Sequence, residues 1–467
     1  MTELPPGWAW ATVDDLAVAR GVIDGPFGSN LKTSHYTADG ARVIRLQNIG
    51  DGAFRDERAY IAIEHFERLR KHSVEPFDVL VASLGEQLPR ACLAPEYVGP
   101  AIVKADCVRI RTNAAALAPY LMWALNSTQV RDRVAASIKG VGRPRVNLGD
   151  LRALEVPVAP RAEQERIVAA IEEAFSKLDA GEAALRTARQ RLKRMRDAVL
   201  TAAVTGRLVP QDPTNPPSAD RLATHRDPAC AGSVDRVLRT LGDVADWSSG
   251  GTPKAGTARF YGGPIPWAVI GDLTEGPVWH TQSSLTAEGL ERSSAKVVPE
   301  GTVLLAMYGA SIGRIGVTSR EMATNQAIAC ARPRTDVVTS SYLFWYLRSQ
   351  RRAFVAQGKG AAQPNISQTI IKTWPVALPP VEEQNRIVAD VERQFSFIEA
   401  CERAVDRGLA RAAALRRSVL KAAFEGRLVP QDPSDEPASA LLDRIRAERA
   451  AGGSPKLRRT RPVRSGS

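Results

Sequence analysis

Residues 199–213 read VLTAAVTGRLVPQDP, and residues 419–433 read VLKAAFEGRLVPQDP. Twelve of the fifteen positions agree, at an offset of 220 residues. The same offset carries Glu163, Gln164, Arg166, Ile167 and Val168 onto Glu383, Gln384, Arg386, Ile387 and Val388, so the repeat runs without a gap. Self-similarity at a fixed period marks a duplicated structural unit. Here a whole domain's length of chain precedes each copy.

Within each copy the apolar residues recur at the heptad spacing of a helix that packs along a seam. The first copy places Ile171, Leu178, Leu185, Leu192 and Val199 at one seam position and Ile167, Ala174, Gly181, Ala188 and Met195 at the other. The second places Val391, Ile398, Val405, Ala412 and Val419 beside Ile387, Gln394, Cys401, Gly408 and Leu415. Small residues dominate the second position and let two backbones approach, so the large side chains of the first position are expected to join the two helices. Each helix follows a proline-containing lead-in, residues 156–160 and 376–380, and stops at a glycine, Gly206 or Gly426, suited to a C-terminal cap. Each should cover roughly 40 residues, about 60 Å at 1.5 Å per residue. A dimerisation coiled coil would use the same heptads, but a gapless offset with a domain before each copy favours an intramolecular antiparallel pair.

The stretches before the helices are only weakly alike. The first holds Thr12, Asp15 and Leu16, strand-like residues 43–49 (VIRLQNI) and 77–82 (FDVLVA), and an aromatic helix at 120–125 (YLMWAL). The second holds Thr240, Asp243 and Val244, strand-like residues 265–273 (IPWAVIGDL) and 301–306 (GTVLLA), and an aromatic helix at 342–347 (YLFWYL). Short apolar strands among short helices and Gly/Pro turns give an α+β class. The chain accordingly divides into a first globular domain at 1–155, a helical spacer at 156–210, a linker rich in Pro, Asp and Ala at 211–232, a second globular domain at 233–375, a second helical spacer at 376–431 and a basic, disordered tail at 432–467.

At 44% hydrophobic residues the 467-residue chain can bury two or three cores. No run of about 18 apolar residues could span a bilayer, and residues 1–10 lack the regions of a signal peptide, so a cytoplasmic location is expected. The cysteines Cys92, Cys107, Cys230, Cys330 and Cys401 form no CxxC pair, and the five histidines form no HExxH. Disulfides and metal sites are therefore not expected. The net charge of +12 suits a polyanionic partner, because cations that neutralise phosphates release counterions. Lys456, Arg458, Arg459, Arg461 and Arg464 in the tail supply five of those charges, leaving a moderately basic body. Two similar domains separated by two long antiparallel helices, related by a pseudo-twofold, could sit on separate patches of one duplex, whose turn is about 34 Å. Because the domains differ in sequence, they would read different half-sites.

Residues 4–10 (LPPGWAW), 25–32 (GPFGSNLK), 43–49 (VIRLQNI) and 363–367 (QPNIS), the two proline-rich lead-ins to EQxRIV and the doubled GRLVPQDP together resemble the specificity subunits of type I restriction-modification systems. The resemblance covers nearly the whole chain, and its order of motifs is more specific than any one string. It implies that each globular domain is a target recognition domain and that the helices set spacing and dock methyltransferase subunits, two of them. It further implies adenine methylation, S-adenosylmethionine bound by the methyltransferase subunits, and ATP with magnesium used by restriction subunits that join for cleavage. The two halves depart from one another at residues 142–147 (GRPRVN) and 362–365 (AQPN), where the loop before the helix would meet DNA differently.

The chain itself shows no catalytic motif. Residues 215–218 (NPPS) lack the aromatic residue of an adenine methyltransferase motif and lie in the linker; residues 250–256 (GGTPKAG), 309–313 (GASIG) and 358–360 (GKG) match neither a dinucleotide fingerprint nor a P-loop. For base reading the useful side chains are Arg for guanine and Asn or Gln for adenine. The first domain offers Ser29, Asn30, Lys32, Arg45, Gln47, Arg143, Arg145 and Asn147, and the second offers Lys254, Arg259, Tyr308, Arg314, Lys359, Gln363 and Asn365. Each competes with a plainer role as surface charge or turn former. The run Arg186, Arg189, Arg191, Lys193, Arg194 and Arg196 on the first helix reads as a solvated or partner-facing flank ahead of a phosphate contact. The alternatives are an enzyme, marked by intrinsic S-adenosylmethionine binding, and a coiled-coil scaffold, marked by no sequence-dependent binding beside its partners.

Overall fold

The computed structural model describes residues 3–137, 144–210, 237–358 and 364–451. The linker expected at 211–232 lies outside them. The chain divides into two units, one made of Met1–Ala184 with Arg407–Ser467 and the other of Leu185–Asp406.

In the first unit the strand Val79–Ala82 is apolar and buried at all four positions, the mark of a strand covered on both faces. Val79 and Val81 join the core that holds Tyr120 and Leu121, while Leu80 and Ala82 join a second core with Ile44, Ala101 and Val103. Full burial of such a side chain contributes about 1.5–3 kcal/mol. The strand lies in an antiparallel sheet ordered Ala17–Asp24, Cys107–Thr112, Val79–Ala82, Arg90–Leu93. A five-stranded sheet, Tyr36–Thr37, Tyr60–Ile61, Ala41–Ile44, Ala101–Val103, Ser73–Val74, carries one parallel pair, Ala41–Ile44 with Ala101–Val103.

The second unit repeats this plan. Val303 and Leu305 enter the core of Tyr342 and Leu343, and Leu304 and Ala306 enter a core with Ala268 and Met322. One sheet is ordered Ala245–Ser249, Ile328–Pro333, Val303–Ala306, Ile315–Thr318, Pro277–Val278. The other is ordered Ser283–Leu285, Tyr261–Ala268, Met322–Thr324, Val297–Val298, with Tyr261–Ala268 parallel to Met322–Thr324. Each domain opens and closes on one short antiparallel ladder, Ala9–Thr12 with Glu155–Val158 and Val237–Thr240 with Pro375–Leu378.

The strands expected at 43–49 and 265–273 end early, at Ile44 and Ala268, and pass into the 3-10 turns Leu46–Asn48 and Ile270–Asp272. Asn48 Oδ1 accepts the Arg45 N–H and Asp272 Oδ2 accepts the Val269 N–H, both at 2.8 Å. A polar side chain that takes an N–H three residues back closes a turn in place of a ladder.

The long helices run Arg161–Val204 and Val381–Phe424, 44 residues each. Both stop in the same way. Gly206 and Gly426 sit at φ +75° and +67°, and the Arg207 and Arg427 N–H groups reach back to the Ala202 and Ala422 carbonyls, the bond of a Schellman cap. In the first unit Arg166 pairs with Asp435 at 2.6 Å, and Arg416 pairs with Asp179 and, at 3.2 Å, with Glu182, so the helical stretches there run antiparallel. Inside the second unit Arg189 lies 3.6 Å from Asp406 and Arg196 lies 2.8 Å from Glu402, again antiparallel. Ile171, Val391, Ile398 and Val405 are buried, and Leu178, Leu185 and Leu192 half-buried. At the other seam position Met195 and Leu415 are 39% and 42% exposed, so a strict heptad overstates the seam. Phe175 and Phe395, outside the heptad assignment, are buried instead, because the first turns of each helix follow a four-residue spacing into the domain core.

The tail expected to be disordered from 432 contains a helix, Ala438–Ala451. Leu442 is buried in the first unit's core, Arg446 pairs with Asp15 at 3.3 Å, and Arg449 donates to the Asp14 carbonyl at 3.0 Å. Charge concealed this amphipathic stretch from a compositional reading.

The EQ pair repeated at the head of each long helix is structural. The buried Gln384 accepts the Thr339 N–H at 3.0 Å and donates to the Val337 and Pro379 carbonyls at 2.9 and 3.0 Å. Gln164 makes the same three bonds, to Leu117, Ala115 and Ala159. Gln384→Leu keeps the volume and orphans three backbone groups, so it is expected to cost about 3 kcal/mol. Urea unfolding should show a lower midpoint at unchanged m, and an unmoved midpoint would contradict the assignment.

Candidate nucleic-acid interface

The turn after each doubly buried strand pairs with the loop before a short helix, Leu148–Ala153 in the first unit and Gln368–Lys372 in the second. In the first unit the Val146 N–H donates to the Ser83 carbonyl at 2.9 Å and the Gly85 N–H to the Pro144 carbonyl at 3.2 Å, placing Leu84 opposite Arg145. In the second the Ile366 N–H donates to Met307 at 3.0 Å and the Gly309 N–H to Pro364 at 2.8 Å, placing Tyr308 opposite Asn365. One backbone device thus presents Arg145 in one unit and Tyr308 with Asn365 in the other, all three exposed.

Around Arg145 the first unit gathers Asp106, 2.8 Å away, and the exposed ring of Phe27, whose centroid lies 5.3 Å from the guanidinium. Neither neighbour was singled out from the sequence. Asp106 holds a left-handed backbone, φ +67°, which its residue type alone does not announce. Phe27 lies just beyond Gly25, where an added Cβ would fall 2.1 Å from the Lys104 carbonyl carbon, so only glycine lets the loop leave its strand there. Gly250 does the same in the second unit, where a Cβ would fall 1.7 Å from the Thr324 carbonyl oxygen.

Ser29, Asn30 and Lys32 are exposed on the loop that follows, and Gln47 is exposed on its 3-10 turn with Arg45 half-buried before it. Asn147 is engaged elsewhere: its Oδ1 accepts the Asp150 N–H at 2.8 Å and its Nδ2 donates to Asp150 Oδ2 at 2.6 Å, capping the helix Leu148–Ala153. That occupation removes Asn147 from the base-reading set. In the second unit Arg314 stands half-buried at the end of the turn that begins at Tyr308, while Lys254 is exposed on a separate loop and Arg259 pairs with Glu288 at 3.2 Å. Arg143, Lys359 and Gln363 lie outside the described residues.

The basic run on the first helix is partly neutralised. Besides Glu402, Arg196 faces Glu399 at 3.6 Å and stacks over Phe395 with its guanidinium 5.3 Å from the ring centroid. Arg416, the repeat-equivalent residue, makes the matching set with Asp179, Glu182 and Phe175 in the first unit. Arg196 therefore belongs to the helix pairing and not to a solvated or DNA-facing flank.

The buried cysteines of the described residues are not primed for covalent chemistry. Burial pushes the Cys92 thiol up to about 12 and the Cys330 thiol up to about 11, so neither is a nucleophile near neutrality. Among the described residues no group of three or more His, Cys, Asp and Glu could hold a metal ion, and no helix is long and apolar enough to cross a membrane. What the two loops can do is offer hydrogen-bonding and aromatic side chains to an extended polar partner.

Comparison with known proteins gives that partner its class. Residues 234–402 match the family model described as the type I restriction modification DNA specificity domain. The chain is 30% identical over 318 residues to the type I restriction enzyme EcoBI specificity subunit of Escherichia coli, covering 65% of this chain and 66% of that one. It is 24% identical to the EcoKI specificity subunit of Escherichia coli strain K12, covering 98% of both. A solved chain from a study of complex assembly and conformational transition in the type I restriction-modification system superposes with a TM-score of 0.71 at 20% identity, covering 91% of this chain and 100% of that one, and shows the same fold. With the doubled α+β domains, the doubled helices and the family match in agreement, the chain belongs to the specificity subunits of type I restriction-modification systems.

Proposed function

We propose that this specificity subunit reads an interrupted, asymmetric DNA target, one half with each domain, and so directs adenine methylation or restriction by partner subunits. The observation that carries the reading is the shared ladder with unlike side chains: Arg145 opposite Leu84 in one unit, Asn365 opposite Tyr308 in the other. Arginine pairs bidentately with guanine and asparagine with adenine, so identical backbone devices would select different bases. Ser29, Asn30, Lys32, Arg45 and Gln47 would join Arg145 on one half-site, and Lys254, Arg259 and Arg314 would join Tyr308 and Asn365 on the other. Phosphate contacts position the duplex and base contacts specify it.

The chain contributes no catalytic group. Methyltransferase subunits, one for each copy of the duplicated helix, would bind S-adenosylmethionine and receive the flipped adenine; restriction subunits would supply the ATP- and magnesium-dependent step. Genome-wide mapping of methylated adenine, with and without the gene, tests this. One interrupted, asymmetric motif should lose its methylation when the gene is removed. An unchanged map in cells that express and assemble the complex would overturn the reading in favour of a scaffold.

A further inference from the structure

Four groups that carry or can take a positive charge meet beside the Gly28–Asn30 turn of the first unit. The rings of His35 and His65 lie 4.4 Å apart at a 42° tilt. His65 Nε2 faces the Asn30 carbonyl at 2.8 Å, and its Nδ1 faces Arg68 Nη2 at 3.1 Å. A carbonyl only accepts and a guanidinium only donates, so these contacts suit the His65 tautomer with its proton on Nε2. His35 Nδ1 accepts the Lys32 N–H at 3.1 Å, which makes His35 the same neutral tautomer. Its Nε2–H has no hydrogen-bond partner among the described residues. Lys32 and Arg68 are exposed, and no carboxylate pairs with either among the described residues; Glu67, on the same short helix, pairs with Arg70, and Glu64 is exposed. The second unit differs here, because Glu288 on its corresponding helix neutralises both Arg259 and Arg292, at 3.2 and 3.4 Å.

We propose that Lys32, His35 and Arg68 form a site for a backbone phosphodiester of DNA on the first domain, and that His35 takes up a proton when the phosphate binds. The site rests on the DNA-reading function proposed above. Protonation at His35 Nδ1 by solvent breaks its bond with the Lys32 N–H. Both ring N–H groups and that freed amide then become donors, beside the Lys32 ammonium and the Arg68 guanidinium. Without phosphate, loss of solvent and then the nearby His65, Lys32 and Arg68 hold the His35 pKa below its ordinary value. A bound phosphodiester adds negative charge and moves it the other way. The group is then more protonated in the complex than in the free protein, so affinity rises as pH falls through the interval between the two pKa values.

The test uses the subunit assembled with its methyltransferase partners and a duplex bearing the mapped motif, with binding read by fluorescence anisotropy. Across about pH 5.5 to 8 the wild type should tighten on acidification, by up to about tenfold per unit for one proton taken up. His35→Gln should flatten that dependence. Between about 50 and 200 mM salt, Arg68→Ala should lower the slope of log K against log salt by about 0.9, one phosphate contact. If the assembled variants still methylate the motif, and the pH dependence and the salt slope both match the wild type, the phosphate site is overturned. A wild-type complex that methylates no interrupted motif would instead overturn the DNA-reading function itself, before any variant is made.

Discussion

Exchanging residues 237–378 for the corresponding domain of another family member is expected to replace one half of the methylated motif completely and to leave the other half as it was. The cut points follow from the ladder that pairs Val237 with Leu378, since both junctions then lie outside it and the incoming domain closes on its own two strands. Gln384 meets only backbone groups of the domain and its lead-in, at Thr339, Val337 and Pro379, so an incoming domain with the same chain course satisfies it whatever its side chains. The retained first unit keeps Arg145, Asp106 and Phe27 together and so keeps its half-site. Adenine-methylation mapping of a strain carrying the chimera reads the result directly. A motif changed in both halves, or in neither, would contradict the assignment of one half-site to each domain.

Truncating Phe424 is expected to cost the first unit a large part of its stability. Its side chain is 1% exposed and meets Tyr120 edge-on with ring centroids 5.3 Å apart. Phe424→Ala removes that packing and leaves a cavity, at a cost of about 3–5 kcal/mol. A domain of ordinary stability holds only about 5–15 kcal/mol in reserve. Val204, at the repeat-equivalent position of the first long helix, is only half-buried, so Val204→Ala should cost clearly less. Chemical unfolding of the two variants beside the wild type would show the difference, and equal midpoints for all three would show that Phe424 does not anchor its unit.

Much of the fold was legible because it is local or repeated. The heptads and the glycine stops gave the extent of both long helices, and the strand-like stretches 77–82 and 301–306 contain the strands Val79–Ala82 and Val303–Ala306. The candidate site was legible as a pair of loops, through GRPRVN and AQPN, but not as a set of neighbours. Asn147 looked like a base reader and caps a helix; Arg196 looked like a solvated charge and pairs across to Glu402. Charge and hydrogen-bonding capacity are visible in a residue's identity, whereas the partner that takes them up is not.

The sequence by itself determined the duplication, the α+β class, the length and capping of the helices and the family, because each rests on a period or a string that adjacent residues carry. Only the tertiary structure decided that Phe27, Asp106 and Arg145 share one corner, that His35 and His65 stack beside Lys32 and Arg68, and that residues 438–451 form a docked helix. Those arrangements join positions far apart in the chain, and spacing along a chain says nothing of which distant loops a closed sheet will bring together.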